Sequence, residues 1–233
     1  MSMASLWDWI KTSYVRVIEP FIGFLVRRKV TPNTLTTIGT LFSCSAGVVF
    51  ATGHIRTAGW LLGITAVFDL ADGIVARRTN QSSTFGAFYD STLDRIADGF
   101  LLGGLTFFFA SSSLHRSLAM VAVGLVGMIA TFIISYTRSR AEALGIDMRG
   151  VGMMERAERI VLLAVPQAFF GLALDGLVLR LIFSLLAATA IVTAVQRISH
   201  VRWATQPAAL PPTPAANEPQ VGSPVTQSRA LVE

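Results

Sequence analysis

Six apolar runs constrain this chain more than any other feature. They can be read at residues 33–53, 57–76, 86–111, 117–137, 158–175 and 177–196. A helix of about 20 predominantly apolar residues is long enough to cross the hydrocarbon core of a bilayer. The pattern therefore predicts an all-α integral membrane protein with six transmembrane helices. Composition agrees, since 52% of residues are hydrophobic and only 14% are charged, whereas a soluble domain carries about 25% charged residues. At 233 residues the chain suits one folded domain, expected over residues 31–203. Glycine and other small residues inside the runs fit helices that pack closely in lipid.

The basic residues predict the orientation. Sixteen of the 19 Lys and Arg fall at one set of helix ends, and only Arg56, Arg116 and Arg180 at the other. Cytosolic loops carry the excess of Lys and Arg, so both termini are expected in the cytosol of a multi-pass cell-membrane protein. The net charge of +5 then suits anionic membrane lipids and an anionic substrate, and gives no support to nucleic-acid binding. A single cysteine, Cys44, excludes an intramolecular disulfide, and His54, His115 and His200 are too scattered to share one metal. Residues 1–30 read as an N-terminal interfacial amphipathic helix, with Trp7, Trp9 and Tyr14 at headgroup level and Pro20 interrupting any clean span. Residues 204–233, rich in Pro, Ser and Gln, read as a disordered cytosolic tail.

Within this apolar chain stand four carboxylates at regular spacing. Asp69 and Asp72 lie at i and i+3, while Gly86, Asp90 and Asp94 lie at i, i+4 and i+8, so each set forms one stripe of a helix. The polar connection from Arg78 to Phe85 is short and predicts two antiparallel neighbouring helices with all four acids at one end. That end is also the basic, cytosolic one. Four such carboxylates repel one another unless a cation lies among them, and hard oxygen ligands suit Mg²⁺ or Mn²⁺. Two ions about 3.5 to 4 Å apart would use all four acids. Gly73 and Ala76 remove side-chain bulk beside them, leaving room for a phosphate-bearing ligand. Upstream, Thr31 is a plausible N-cap with Pro32 at the first helical position, in a polar helix start running to Thr36. Downstream, Asp98 continues the acid stripe beside Arg95, where an aspartate–arginine pair is as reasonable as a catalytic part.

Asp69-Leu-Ala-Asp72-Gly73-Ile-Val-Ala76-Arg77, eight residues, Gly86, Asp90 and Asp94 match the pattern D-x2-D-G-x2-A-R-x8-G-x3-D-x3-D at every fixed position. This resembles the signature of the CDP-alcohol phosphotransferase family of membrane enzymes. The resemblance implies a donor such as CDP-diacylglycerol, with CMP as leaving group. It implies that Asp69, Asp72, Asp90 and Asp94 hold the metals and that Asp94 is also the general base. Gly73, Ala76, Arg77 and Gly86 would shape the nucleotide and pyrophosphate site. A homodimer is likewise implied by the resemblance alone.

Within the family, Ser135 to Gly145, Gly152 to Arg159 and the run Asp94 to Gly99 are most similar to the phosphatidylinositol-phosphate and archaetidylinositol-phosphate synthases. Those use inositol 1-phosphate as acceptor. Arg138, Arg156 and Arg197 stand where that subfamily has basic residues for the acceptor phosphate, although position 138 there commonly carries lysine. Guanidinium forks suit phosphate oxygens, while pairing with Glu142, Glu155 and Glu158 is the plainer alternative. Phosphatidylglycerophosphate synthesis from glycerol 3-phosphate is the nearest other reading. A cation-binding membrane transporter is a reading of another class, and it would spread its acids through the membrane depth.

Overall fold

Thr31 and Pro32 start the first long helix as their chemistry predicts: Thr31 Oγ1 accepts from the Thr34 N–H at 3.3 Å, and Pro32 occupies the first turn. The structure is a computed structural model that describes residues 19–206. Among these it is all-helical, with α1 over residues 19–27, α2 Pro32–Ala51, α3 Ile55–Arg78, α4 Thr84–Ser111, α5 Leu118–Ala143, α6 Arg156–Phe170 and α7 Leu177–Ala204. Most of the expected interfacial helix and of the C-terminal tail lies outside the described residues. Within α1, Ile22 and Leu25 are buried in a cluster with Leu35 of α2 and Ala71, Ile74 and Val75 of α3.

Four helices, α2, α3, α5 and α7, are long and apolar enough to cross a membrane. Large side chains such as Phe107, Leu125, Phe169 and Leu181 are exposed along the bundle. That is where lipid, rather than water, solvates them. The chain is a multi-pass membrane protein. The other two expected spans depart from the simple pattern. α4 has 28 residues but carries Asp90, Asp94, Arg95 and Asp98, and α6 has only 15 residues, with Pro166 inside.

One expectation is corrected. The 79–83 connection is short, yet α3 and α4 do not lie side by side; among the described residues no close backbone approach joins them. α2 packs against both instead, α6 against α3, and α5 against both α4 and α7. Small residues decide these crossings. A Cβ on Gly104 of α4 would collide with the Gly47 carbonyl of α2, and a Cβ on Gly59 of α3 would lie 2.9 Å from the Ala168 Cα of α6. Glycines let backbones approach this closely, which strengthens packing in lipid. The main core, with Phe50, Leu62, Leu105, Phe109, Leu179 and Phe183, fills the end of the bundle remote from the aspartates. At the other end α3 and α4 diverge over α2 and leave a polar groove between them.

Candidate functional site

The aspartates face this groove from both sides, and α2 forms its floor. Thr36 of α2 donates its hydroxyl to Asp72 Oδ2 at 2.8 Å. Gly39, one turn further along α2, makes room for Asp69: a Cβ there would meet Asp69 Oδ1 at 3.2 Å. On the α4 side, the hydroxyls of Thr37 and Tyr89 lie 2.9 Å apart and fix α4 one residue before Asp90. Asp69 and Asp72 thus come from α3 and Asp90 and Asp94 from α4, as the stripes predict, but across a groove rather than along a packed hairpin.

Arg156, expected at an acceptor phosphate, has its guanidinium among the acids. Nη1 lies 2.9 Å from Asp69 Oδ2 and 2.8 Å from Asp94 Oδ1, and Nε lies 3.3 Å from Asp98 Oδ1. The local cause is its place as the first residue of α6. Glu155 caps that helix, and Glu158 Oε2 accepts from the Glu155 N–H at 2.9 Å. Arg95 adds a second cation, 3.6 Å from both Asp94 and Asp98, and donates to the Ser135 hydroxyl. Asp98 is therefore the arginine-paired residue that its neighbour Arg95 suggested. Asp72 and Asp90 have no ion-pair partner among the described residues.

This donor set fits a divalent metal in chemistry. It is all carboxylate oxygen, it comes from two different helices, and two of its members, Asp72 and Asp90, form no salt bridge among the described residues. Among the described residues the carboxylates do not converge on one point, because the Arg156 guanidinium stands between those of α3 and α4.

The other expected residues divide into two groups. A Cβ on Gly73 would touch only the Arg77 side chain of its own helix, at 3.5 Å, so helix packing does not require glycine there. Ala76 is half-buried and Arg77 exposed on the following turn. Gly86 donates its N–H to Ser83 Oγ at 3.0 Å in the first turn of α4, and a Cβ there would also approach Asn33 Oδ1, at 3.4 Å. Gly73, Ala76 and Arg77 thus lie in the last two turns of α3, and Gly86 in the first turn of α4. Arg138 pairs through Nε with Glu142 at 2.9 Å. Arg197 donates Nε to the Val151 carbonyl at 3.0 Å and Nη1 to the Ile134 carbonyl at 2.7 Å. Neutral carbonyls hold this fork in place without cancelling its charge.

The comparisons with known proteins bear directly on this site. The family model for CDP-alcohol phosphatidyltransferase matches residues 29–204. The chain belongs to the CDP-alcohol phosphatidyltransferase family. It is 34% identical to a phosphatidylinositol phosphate synthase of Streptomyces avermitilis, over 85% of this chain and 83% of that one. To the phosphatidylinositol phosphate synthase of Corynebacterium glutamicum it is 37% identical, over 78% and 82%. Crystal structures of the Mycobacterium tuberculosis phosphatidylinositol phosphate synthase have the same fold. The one with CDP-DAG bound aligns with a TM-score of 0.72 at 29% identity, covering 84% of this chain and all of that one. The one in complex with manganese and citrate aligns with a TM-score of 0.70 at 31% identity, covering 82% and 92%.

In this phosphatidyltransferase, Arg95, read from sequence only as a partner for Asp98, completes the neighbourhood of the acids together with Thr36 and Arg159. Arg159 Nη1 reaches the buried Thr131 hydroxyl at 3.3 Å. The three-residue spacing of Arg156 and Arg159, which sets both on one face of α6, was the available signal. Nothing in the local pattern around Thr36 distinguished it from a helix-start threonine.

Proposed function

We propose that this phosphatidyltransferase moves the phosphatidyl group of a CDP-alcohol such as CDP-diacylglycerol onto a hydroxyl of inositol 1-phosphate, releasing CMP. One arrangement carries the reading. Arg156 of α6 meets the carboxylates of α3 and α4, and Arg159, Arg197 and Arg138 follow it within electrostatic reach of one another. An acidic wall suits a metal-bridged pyrophosphate, and a basic wall suits an acceptor that is itself a phosphate. The named relatives support the same donor and acceptor.

Asp69, Asp72, Asp90 and Asp94 would hold Mg²⁺ or Mn²⁺, two ions, which neutralise the charge developing on the leaving phosphate. Asp94 takes the proton of the attacking hydroxyl as its oxygen bonds to the phosphorus that bears the lipid. The bond from that phosphorus to the bridging oxygen breaks, and the electron pair leaves with CMP. Gly73, Ala76, Arg77 and Gly86 receive the nucleotide and pyrophosphate, Gly73 adding no bulk beside the acids. Arg138, Arg156 and Arg197 orient the acceptor phosphate, the anchored fork of Arg197 losing little freedom as it does so.

The reading places six spans in the membrane, with α4 and α6 completing the four evident ones. α6 rises only about 22 Å at 1.5 Å per residue, so the turn that follows it would reach the far interface. Residues 31–203 form the catalytic unit in this reading; the expected interfacial helix of residues 1–30 and the tail from 204 fall mostly outside the described residues. The positive-inside pattern puts the aspartate end and both termini in the cytosol. The homodimer implied by the resemblance belongs to the same reading.

The test is CMP release from CDP-diacylglycerol by the detergent-solubilised protein, with Mn²⁺ or Mg²⁺ and a panel of inositol 1-phosphate, glycerol 3-phosphate, inositol and serine. Inositol 1-phosphate is expected to give the highest kcat/KM. A preference for glycerol 3-phosphate would make the enzyme a phosphatidylglycerophosphate synthase, and no release with any acceptor would overturn the transferase reading for this chain.

A further inference from the structure

Arg156 holds oxygens that a divalent cation in this groove would also need. Its Nη1 alone bridges Asp69 Oδ2 of α3 and Asp94 Oδ1 of α4. Its Nε meanwhile reaches Asp98 Oδ1. Asp98 sits one helical turn beyond Asp94, is only 7% exposed, and lies outside the aspartate motif. Arg95 faces the other oxygen of Asp98 at 3.6 Å. Arg159, next on the same face of α6, engages a threonine hydroxyl rather than a carboxylate. A guanidinium does not surrender its proton in a protein, so Arg156 can free those two oxygens only by moving.

We propose that Arg156 is an internal counter-cation that competes with the divalent metal for Asp69 Oδ2 and Asp94 Oδ1, and that Asp98 tethers its displaced guanidinium beside the site. The inference rests on the reading of the aspartates as metal ligands. It joins two roles that otherwise conflict. With Nε still on Asp98, the Nη1 group released from Asp69 and Asp94 becomes a free donor next to Arg159, where an acceptor phosphate would be gripped. Metal loading and the readiness of the acceptor wall become one event. The two cations then favour opposite conformations of one side chain, and each opposes the other by the same factor.

Mn²⁺ binding to the full-length, substrate-free protein in detergent tests this, by calorimetry or by the electron paramagnetic resonance of free Mn²⁺. Arg156→Ala should bind Mn²⁺ at least about tenfold more tightly than the wild type, since the competing charge-assisted bonds are gone. Arg156→Lys should fall between, because one ammonium cannot span both walls and Asp98 together. Arg159→Ala removes the same charge nearby and should change the affinity far less. Unchanged or weaker Mn²⁺ binding in Arg156→Ala, or an equal gain in Arg159→Ala, overturns the competition. Should Arg156→Ala fail to fold, Arg156→Lys carries the test, and wild-type affinity in it overturns the proposal. No Mn²⁺ binding by the wild type overturns both the metal reading and this one. Asp98→Asn should raise the KM for inositol 1-phosphate with a smaller change in kcat; an unchanged KM overturns the tether.

Discussion

Replacing Gly104 by alanine and, separately, its neighbour Gly103 by alanine should have effects of opposite sign. The Cβ added at Gly104 would fall well inside the 3.0 Å limit of real Cβ contacts, against the carbonyl oxygen of Gly47. Both groups belong to helix backbones, so neither rotates away, and α2 and α4 have to separate. Overpacking of this kind costs about 1 to 3 kcal/mol. The Cβ added at Gly103 meets only the flexible end of Met128, at 3.9 Å, and alanine gains roughly 0.5 to 1 kcal/mol over glycine in a helix. The two variants should therefore differ by about 1.5 to 4 kcal/mol, in favour of Gly103→Ala. Activity should divide in the same way. α4 carries Asp90 and Asp94, α2 carries the Thr36 hydroxyl on Asp72, and a shift of about 1 Å between reacting groups can cost 10²-fold in rate. Thermal unfolding in detergent together with CMP release measures both. Equal stability and equal turnover of the two variants would refute the argument that this glycine pair sets the spacing between the walls of the groove.

Asp94→Asn should lower turnover by roughly 10² to 10⁴-fold while leaving most Mn²⁺ and CDP-alcohol binding, since the amide cannot accept the proton; Asp72→Asn should lose Mn²⁺ affinity together with activity, and metal titrations separate the two. Arg138→Ala should raise the KM for the phosphorylated acceptor about 10 to 100-fold, with little change in donor KM, as expected for loss of one charge-assisted bond. Arg197→Ala should do the same and also lower the unfolding temperature, because it releases the carbonyls of Ile134 and Val151. In the loop after α5, the Arg149 guanidinium and N–H hold the Asp147 carboxyl down at about 2. That pairing should persist above the unfolded-state value of about 3.9 and be lost only as pH falls toward the folded one. Carboxylate NMR should show the low value, and Arg149→Ala should return it upward.

What could be read directly from the sequence was whatever local geometry controls. Aspartates three and four residues apart share a helix face whatever surrounds them, and Thr31 before Pro32 caps a helix with groups it carries itself. Contacts between distant segments were not legible in this way. The brevity of the 79–83 connection suggested that α3 and α4 pack together; the close approach of Gly47 to Gly104 and the Thr36 hydroxyl on Asp72 reveal that α2 takes the place beside both. Arg156 illustrates the same limit, since it is 87 residues from Asp69. Its charge and its position at a helix start were plain, but whether it met a phosphate or a carboxylate depended on where α6 enters the bundle. The fold class and the acid pairs thus follow from pattern, while the electrostatic balance of the groove needs three dimensions.

The segment between α5 and α6 is held to its length in a way that loops seldom are. Surface connections ordinarily accept insertions and deletions. Here Met148 is buried, Arg197 grips the Val151 carbonyl, the Met153 N–H donates to Thr193 at 3.2 Å, and the Glu155–Glu158 cap follows at once. Each residue of an α-helix turns the next by about 100°. One residue more or fewer beyond Met153 would therefore either break the cap or swing Arg156 around α6, away from Asp69 and Asp94. Substitutions can accumulate along this stretch, but its length should drift hardly at all among enzymes that share this arginine.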